Sequence, residues 1–200
     1  MSKGYRAEVE PIPAAWRTRM TGASWHADPR CPPLEDLRLL RLDHWTFTND
    51  VATGTLVVAK ALADEVVAIF ERVFAARFPI ERMEPIDVFA GDDDASMAAN
   101  NTSAFNFRVV AGTAVLSQHA FGVAIDINPR LNPMVVGTAV HPPNATEYLD
   151  REHLRPGMIV RPGPVVEAFA AFGWQWGGDW SPLKDYHHFV KGKAPAPKVE

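Results

Sequence analysis

Ser117-Gln118-His119-Ala120-Phe121-Gly122-Val123-Ala124-Ile125-Asp126 sets a histidine and a carboxylate seven positions apart, around a glycine and inside an otherwise apolar run. Val123 to Ile127 reads as a short buried strand, because it is apolar and partly β-branched. An unpaired aspartate inside such a strand is costly, so Asp126 needs a partner, and a metal ion is a good one. Gly122 permits a sharp backbone approach that lets His119 and Asp126 converge on one point. The plainer alternative makes Asp126 a turn cap and His119 a satisfied surface histidine.

Asp185-Tyr186-His187-His188-Phe189 supplies a further carboxylate and two more imidazoles. Imidazole nitrogen and carboxylate oxygen are two of the common zinc ligand types. A catalytic zinc site takes three protein ligands, an open position and a nearby base. The two segments together contain each of these parts.

Ser-x-His-x-x-Gly-x-Ala-x-Asp, followed far downstream by carboxylate-x-x-His-Phe, resembles the D-Ala-D-Ala metallopeptidase family. That family includes VanY-type carboxypeptidases and phage endolysins that cut peptidoglycan stem peptides. Ser117, His119, Gly122, Ala124 and Asp126 meet the first motif, and Asp185, His188 and Phe189 the second. Ser96 to Arg108 and Gly173 to Trp180 also look like blocks of one branch, so the resemblance spans roughly residues 35 to 190. It implies His119, Asp126 and His188 as zinc ligands and Asp185 as general base and acid. Many members carry glutamate where this chain has Asp185; the endolysin-like branch resembles this chain in using aspartate. Val190 stands where many relatives have Glu or Gln, which puts an acceptor for the second nitrogen of His188 in doubt. Three residues of separation is read as a single turn placing Asp185 and His188 on a common side.

His187 competes with His188 for the ligand role. In a strand, adjacent side chains point to opposite faces, so only one of the pair reaches the metal. The resemblance selects His188 and leaves His187 as a rim residue. His26, His44, His141 and His153 lack paired ligand spacing and are read as surface residues.

The family places an arginine near the zinc, to stabilise substrate oxygens. Arg108 is the candidate here, its planar fork suiting that task better than lysine. Phe105 to Val109 is read as an alternating strand with Arg108 on the face opposite Phe105, Phe107 and Val109; a solvated strand arginine is the alternative. Asn101, Ser103 and Ser117 are candidate substrate-binding residues. Trp174, Trp176 and Trp180 either line the cleft or pack in the core or lid.

At 200 residues the chain supports one substantial core. Its net charge of −4 argues against a nucleic-acid partner. Cys31 is the only cysteine, which excludes an internal disulfide and a thiolate zinc cluster. No stretch approaches a membrane span, and Met1 to Glu10 lacks the apolar core of a signal peptide. Action on the cell wall would then need another export route or a leader absent from this sequence. A monomer is expected.

Residues 1–34 read as an irregular arm rich in Pro and Arg, 35–190 as a catalytic domain, and 191–200 as a disordered tail. Leu37 to Phe47 and Thr55 to Val58 read as strands around a turn at Asn49 to Gly54. Leu62, Glu65, Val66, Ile69, Phe70, Val73 and Phe74 give the stripe of one long helix, over about 60 to 77. Ile86 to Phe89 reads as a strand, Asp92 to Asp94 as a solvated loop, Pro129 to Pro164 as a long excursion or lid, and Val165 to Phe172 as a short helix. The expected fold is α+β: a small antiparallel sheet carrying the zinc ligands, packed against the long helix and short helices. The sheet topology comes from the resemblance.

The implied chemistry is zinc-dependent hydrolysis of peptide bonds in peptidoglycan stem peptides, D-alanyl-D-alanine carboxypeptidase-like. Asp185 takes a proton from the attacking water and returns it to the leaving amine, while Arg108 steadies a developing oxyanion or a substrate carboxylate. An endolysin-like L-Ala-D-Glu endopeptidase and a catalytically silent wall-binding module on the same fold are the alternatives. A non-haem iron oxygenase also uses two histidines and one carboxylate. Its first histidine and acid are separated by one residue, against six here, and Asp185 would have no task.

Overall fold

Along Leu37 to Leu42 the side chains divide between two cores: Leu37 and Leu39 face one, Leu40 and Leu42 the other. That two-residue alternation is what a strand buried on both faces produces. In this computed structural model, which describes residues 4–192, strands β1 (Ala7–Pro11), β2 (Leu37–Trp45) and β3 (Val51–Ala59) form an antiparallel sheet with β2 central. The N-terminal segment is therefore not an irregular arm. β1 is an edge strand whose alternating charges conceal it, and helix α1 (Ala14–Met20) follows, burying Met20.

Helix α2 (Ala63–Ala75) covers the Leu40 and Leu42 face of the sheet with Val66, Ile69, Phe70, Val73 and Phe74. Asp64 and Glu65 in its first turn and Arg72 in its last suit the helix dipole. Each of these large side chains contributes about 1.5–3 kcal/mol by leaving water. The opposite face packs on Ile12, Met20, Phe105, Phe107 and Ala120.

The short strands β4 (Arg82–Met83) and β5 (Asn101–Thr102) pair in parallel, with helix α3 (Asp93–Ala98) between them in sequence. Ile86 to Phe89 is a 3-10 turn, not a strand: it follows Pro85 and closes on left-handed Ala90. A four-residue, largely apolar stretch such as Ile-Asp-Val-Phe cannot be assigned by periodicity alone. Asp92 to Asp94 is not a loop either. The Asp92 carboxylate caps α3 by accepting from Ala95 N at 3.0 Å, and Asp93 and Asp94 fill its first turn. Residues 105–109 form no strand, and only a bridge between Val109 and Leu116 pinches the loop that follows.

Strand β6 (Ala124–Asp126) lies within the stretch expected to be a buried strand. The excursion at 129–164 contains β7 (Met134–Val136) and β8 (Ala139–His141), a hairpin. It is pinned by Asn132, whose amide donates to Gly157 O at 2.9 Å and whose oxygen accepts from Ile159 N at 2.7 Å. Helix α4 (Pro164–Ala170) precedes β9 (Trp174–Trp176), β10 (Lys184–Asp185) and β11 (His188–Lys191). β11 is the middle strand of an antiparallel sheet ordered β6-β11-β9, and β10 joins the hairpin at β7. Phe169 of α4 stacks on Phe189 of β11 with ring centroids 4.1 Å apart, fixing that sheet to the α2 core. Trp174 and Trp176 are core residues. Lys191 is no part of a tail: its Nζ meets both Glu65 oxygens, at 2.8 and 2.9 Å. The remainder of the expected tail, 193–200, lies outside the described residues. The α+β class with small antiparallel sheets and one dominant helix is as expected.

Candidate metal centre

His119 sits on a 3-10 turn, Gln118–Phe121, that ends at Gly122. Ser117 caps this turn, its hydroxyl accepting from His119 N at 3.3 Å. Gly122 has φ +66°, and a Cβ there would lie 2.6 Å from Ala59 N. The glycine thus lets the turn rest directly on β3, with Ala59 N donating to Gly122 O at 2.9 Å. Asp126 ends β6 directly opposite His188, the first residue of β11. The backbones of Ser103 and Asp126 exchange two hydrogen bonds, 3.1 and 2.9 Å, fixing the other side of Asp126.

These supports bring three side chains together. His119 Nε2 is 3.1 Å from Asp126 Oδ2, His188 Nδ1 is 2.8 Å from Asp126 Oδ1, and the two ring nitrogens are 3.2 Å apart. One ligand atom from each of His119, Asp126 and His188 lies within 4.8 Å of the others. All offer lone pairs, so their convergence needs N–H protons or a cation between them. The donor set suits zinc. His119 Nδ1 donates to Ala104 O at 2.5 Å, which leaves Nε2 free to ligate. His188 Nε2 has no hydrogen-bond partner among the described residues. Trp180 lies against the His188 ring instead, centroids 5.4 Å apart.

Burial works against charge at Asp126, yet His119, His187 and His188 together hold its carboxyl well below the usual carboxylate range. Burial likewise opposes a charge on His119, but Asp126 outweighs it and raises the imidazole. Arg108 lowers and Asp93 raises the same imidazole, each through space.

Asp185 and His188 do not share one turn. Asp185 ends β10, held opposite Met134 of the excursion, and His188 opens β11. His187 lies between the strands and is not a rim residue: it is 3 % exposed. Its Nε2 is 3.0 Å from Asp185 Oδ1 and 3.9 Å from Asp126 Oδ2, and its Nδ1 is 2.7 Å from Asn132 O. Burial again opposes a charge, but Asp185 and Asp126 raise His187 to about 10.

The remaining candidates divide. Arg108 is half-buried and paired with Asp93 at 2.6 Å, while its Nε is enclosed without a partner. Ser117 N donates to Arg108 O at 3.0 Å, tying the arginine to the start of the motif. Ser117 and Ser103 support His119 and Asp126 as described. Asn101 does not reach the cluster: it is fully buried, donating to Glu84 O and Ser96 Oγ and accepting from Glu84 N. His44, read as a surface residue, is buried near the end of β2, beside Trp45 O. Asn132, Ala104 and Asp93 were not anticipated from the sequence. Their roles depend on backbone carbonyls and distant contacts that leave no residue-type signature.

Residues 111–191 match a family described as D-alanyl-D-alanine carboxypeptidase. The match supports the D-Ala-D-Ala metallopeptidase family and a peptidase activity. It contains His119, Asp126, Asp185 and His188 and begins after Asn101, Ser103 and Arg108. No curated protein and no solved structure matches the chain.

Proposed function

With the match over residues 111–191 as premise, we propose that the chain is a zinc-dependent peptidase acting on peptidoglycan stem peptides in the cell wall, with D-alanyl-D-alanine carboxypeptidase-like activity. The convergence of His119 Nε2, His188 Nδ1 and the Asp126 carboxylate within 4.8 Å carries this reading. His119, Asp126 and His188 would hold zinc, which when bound supplies Lewis acidity and lowers the pKa of water toward about 7.

Asp185 accepts the proton of the attacking water and hands it to the leaving amine. Arg108, anchored through Nη2 by Asp93, would turn the outer end of its guanidinium to a substrate oxygen that gains charge or to a substrate carboxylate. Ser117 acts through His119, whose turn it caps.

Digestion of purified muropeptides by the zinc-loaded protein, with fragments weighed, tests the reading. Loss of one terminal alanine, abolished by chelation, is the expected result. Scission between L-Ala and D-Glu would make the enzyme an endopeptidase with the same machinery. Intact muropeptides at full zinc occupancy would leave a silent wall-binding module.

A further inference from the structure

His187 is a buried ionisable group that is neither one of the three converging ligands nor the base. Its Nδ1 faces Asn132 O at 2.7 Å, an acceptor only, so that nitrogen carries a proton. Nε2 faces two carboxylates, Asp185 Oδ1 at 3.0 Å and Asp126 Oδ2 at 3.9 Å. Asn132 cannot yield, because its own side chain is bonded to Gly157 O, Ile159 N and Arg151 Nη2. The imidazole is therefore fixed at one end and presses on Asp185 at the other. Among the described residues Asp185 Oδ1 is enclosed and makes no hydrogen bond of regular geometry, so the 3.0 Å approach of His187 Nε2 is the one close polar contact that oxygen has. The side chain of Asp185 keeps 10 % exposure, away from the enclosed Oδ1.

We infer that His187 is a positioning residue for Asp185: braced on Asn132 O, it holds Oδ1 and leaves Oδ2 as the oxygen that takes the proton. This rests on the peptidase reading above. An aspartate at the end of a two-residue strand has free χ angles unless one oxygen is held. Removing such a support typically costs about 10–100-fold. The loss belongs in kcat, because His187 acts on the base and not on bound substrate.

The test uses His187→Phe, which keeps the ring and removes both N–H groups, and His187→Gln, which restores a donor. Metal-free protein is titrated with zinc, and kcat and KM are measured on a stem peptide that the wild type cleaves. Expected are one zinc per chain in both variants, a kcat drop of about 10–100-fold in His187→Phe with KM nearly unchanged, and partial recovery in His187→Gln. In an Asp185→Asn background His187→Phe should cost little more, since the partner it positions is gone. An equal fold-loss in both backgrounds overturns the inference, as does loss of zinc from His187→Phe with zinc retained by His188→Ala. The imidazole ¹⁵N resonances of His187, read in metal-free protein with and without Asp185→Asn, need no turnover: a shift at Nε2 supports the contact and none refutes it. If the wild type cuts no peptide, the functional reading falls while this arm still decides the contact.

Discussion

Replacing Gly122 with alanine combines two penalties that can be separated. At φ +66° an L-residue is strained by about 1–2 kcal/mol. The new Cβ would also stand 2.6 Å from Ala59 N and 3.0 Å from Val58 C, both backbone atoms of β3, so no side-chain rotation relieves it. Restoring ordinary contact means moving the turn by roughly 0.8 Å, and such overpacking costs about 1–3 kcal/mol. The sum is about 2–5 kcal/mol, a fall in Tm on the order of 10 °C for a chain of this length. Because His119 rides on the displaced turn, zinc affinity should fall as well, beyond the tolerance of about 0.5 Å for a ligand constellation. Gly112→Ala is the control: φ there is +74°, but nothing lies within 4 Å of the new Cβ. It should lose only the strain energy and keep wild-type zinc affinity. Thermal melts and zinc titrations of both variants decide the matter. Equal melting losses with zinc affinity intact in Gly122→Ala would refute the argument that the glycine seats His119 against β3.

Purified protein should bind about one zinc per chain, and alanine at His119, Asp126 or His188 should strip most of it by metal analysis; full occupancy in His188→Ala would show the wrong histidine was assigned. Asp185→Asn should keep zinc while hydrolysis falls by roughly 10²–10⁴-fold, and wild-type turnover would sink its role as base. Arg108→Ala should leave zinc in place and reduce kcat by about 2.7–4 kcal/mol of transition-state stabilisation, or raise KM if it grips a ground-state carboxylate; unchanged kinetics would leave it only as the partner of Asp93. Burial lowers His44 below its ordinary 6.5, so its contribution to stability is full above pH 6.5 and is lost as pH falls through the folded value. The Tm of wild type should therefore fall more steeply below pH 6.5 than that of His44→Gln, and parallel profiles would contradict this sign.

The convergence of His119 and Asp126 was legible because residue type, spacing and the glycine between them signalled a close approach, whereas the choice of His188 over His187 came from the family resemblance. The stripe from Val66 to Phe74 announced α2, since a long apolar face has one interpretation. Ile86 to Phe89 and Phe105 to Val109 misled because four or five apolar-rich residues fit a strand until no neighbour strand is found. β1 was hidden because none of its residues is buried and its partner β2 supplies the pairing. His187 was misplaced for a related reason: its burial depends on Asn132, 55 residues away in a segment that read as a loose excursion.

Asp126 and His188 are 62 positions apart yet touch. An ion shared between them would act as a cross-link closing that whole loop, which encloses the β7–β8 hairpin, α4 and β9. By analogy with a covalent bridge over a loop of that size, the entropy removed from the unfolded chain is worth about 4 kcal/mol. Metal occupancy would then govern how long β11 stays docked as well as what the centre can do. Chelation should loosen first the segment between the two ligands, leaving the three-stranded sheet of β1, β2 and β3 to hold the rest of the chain together.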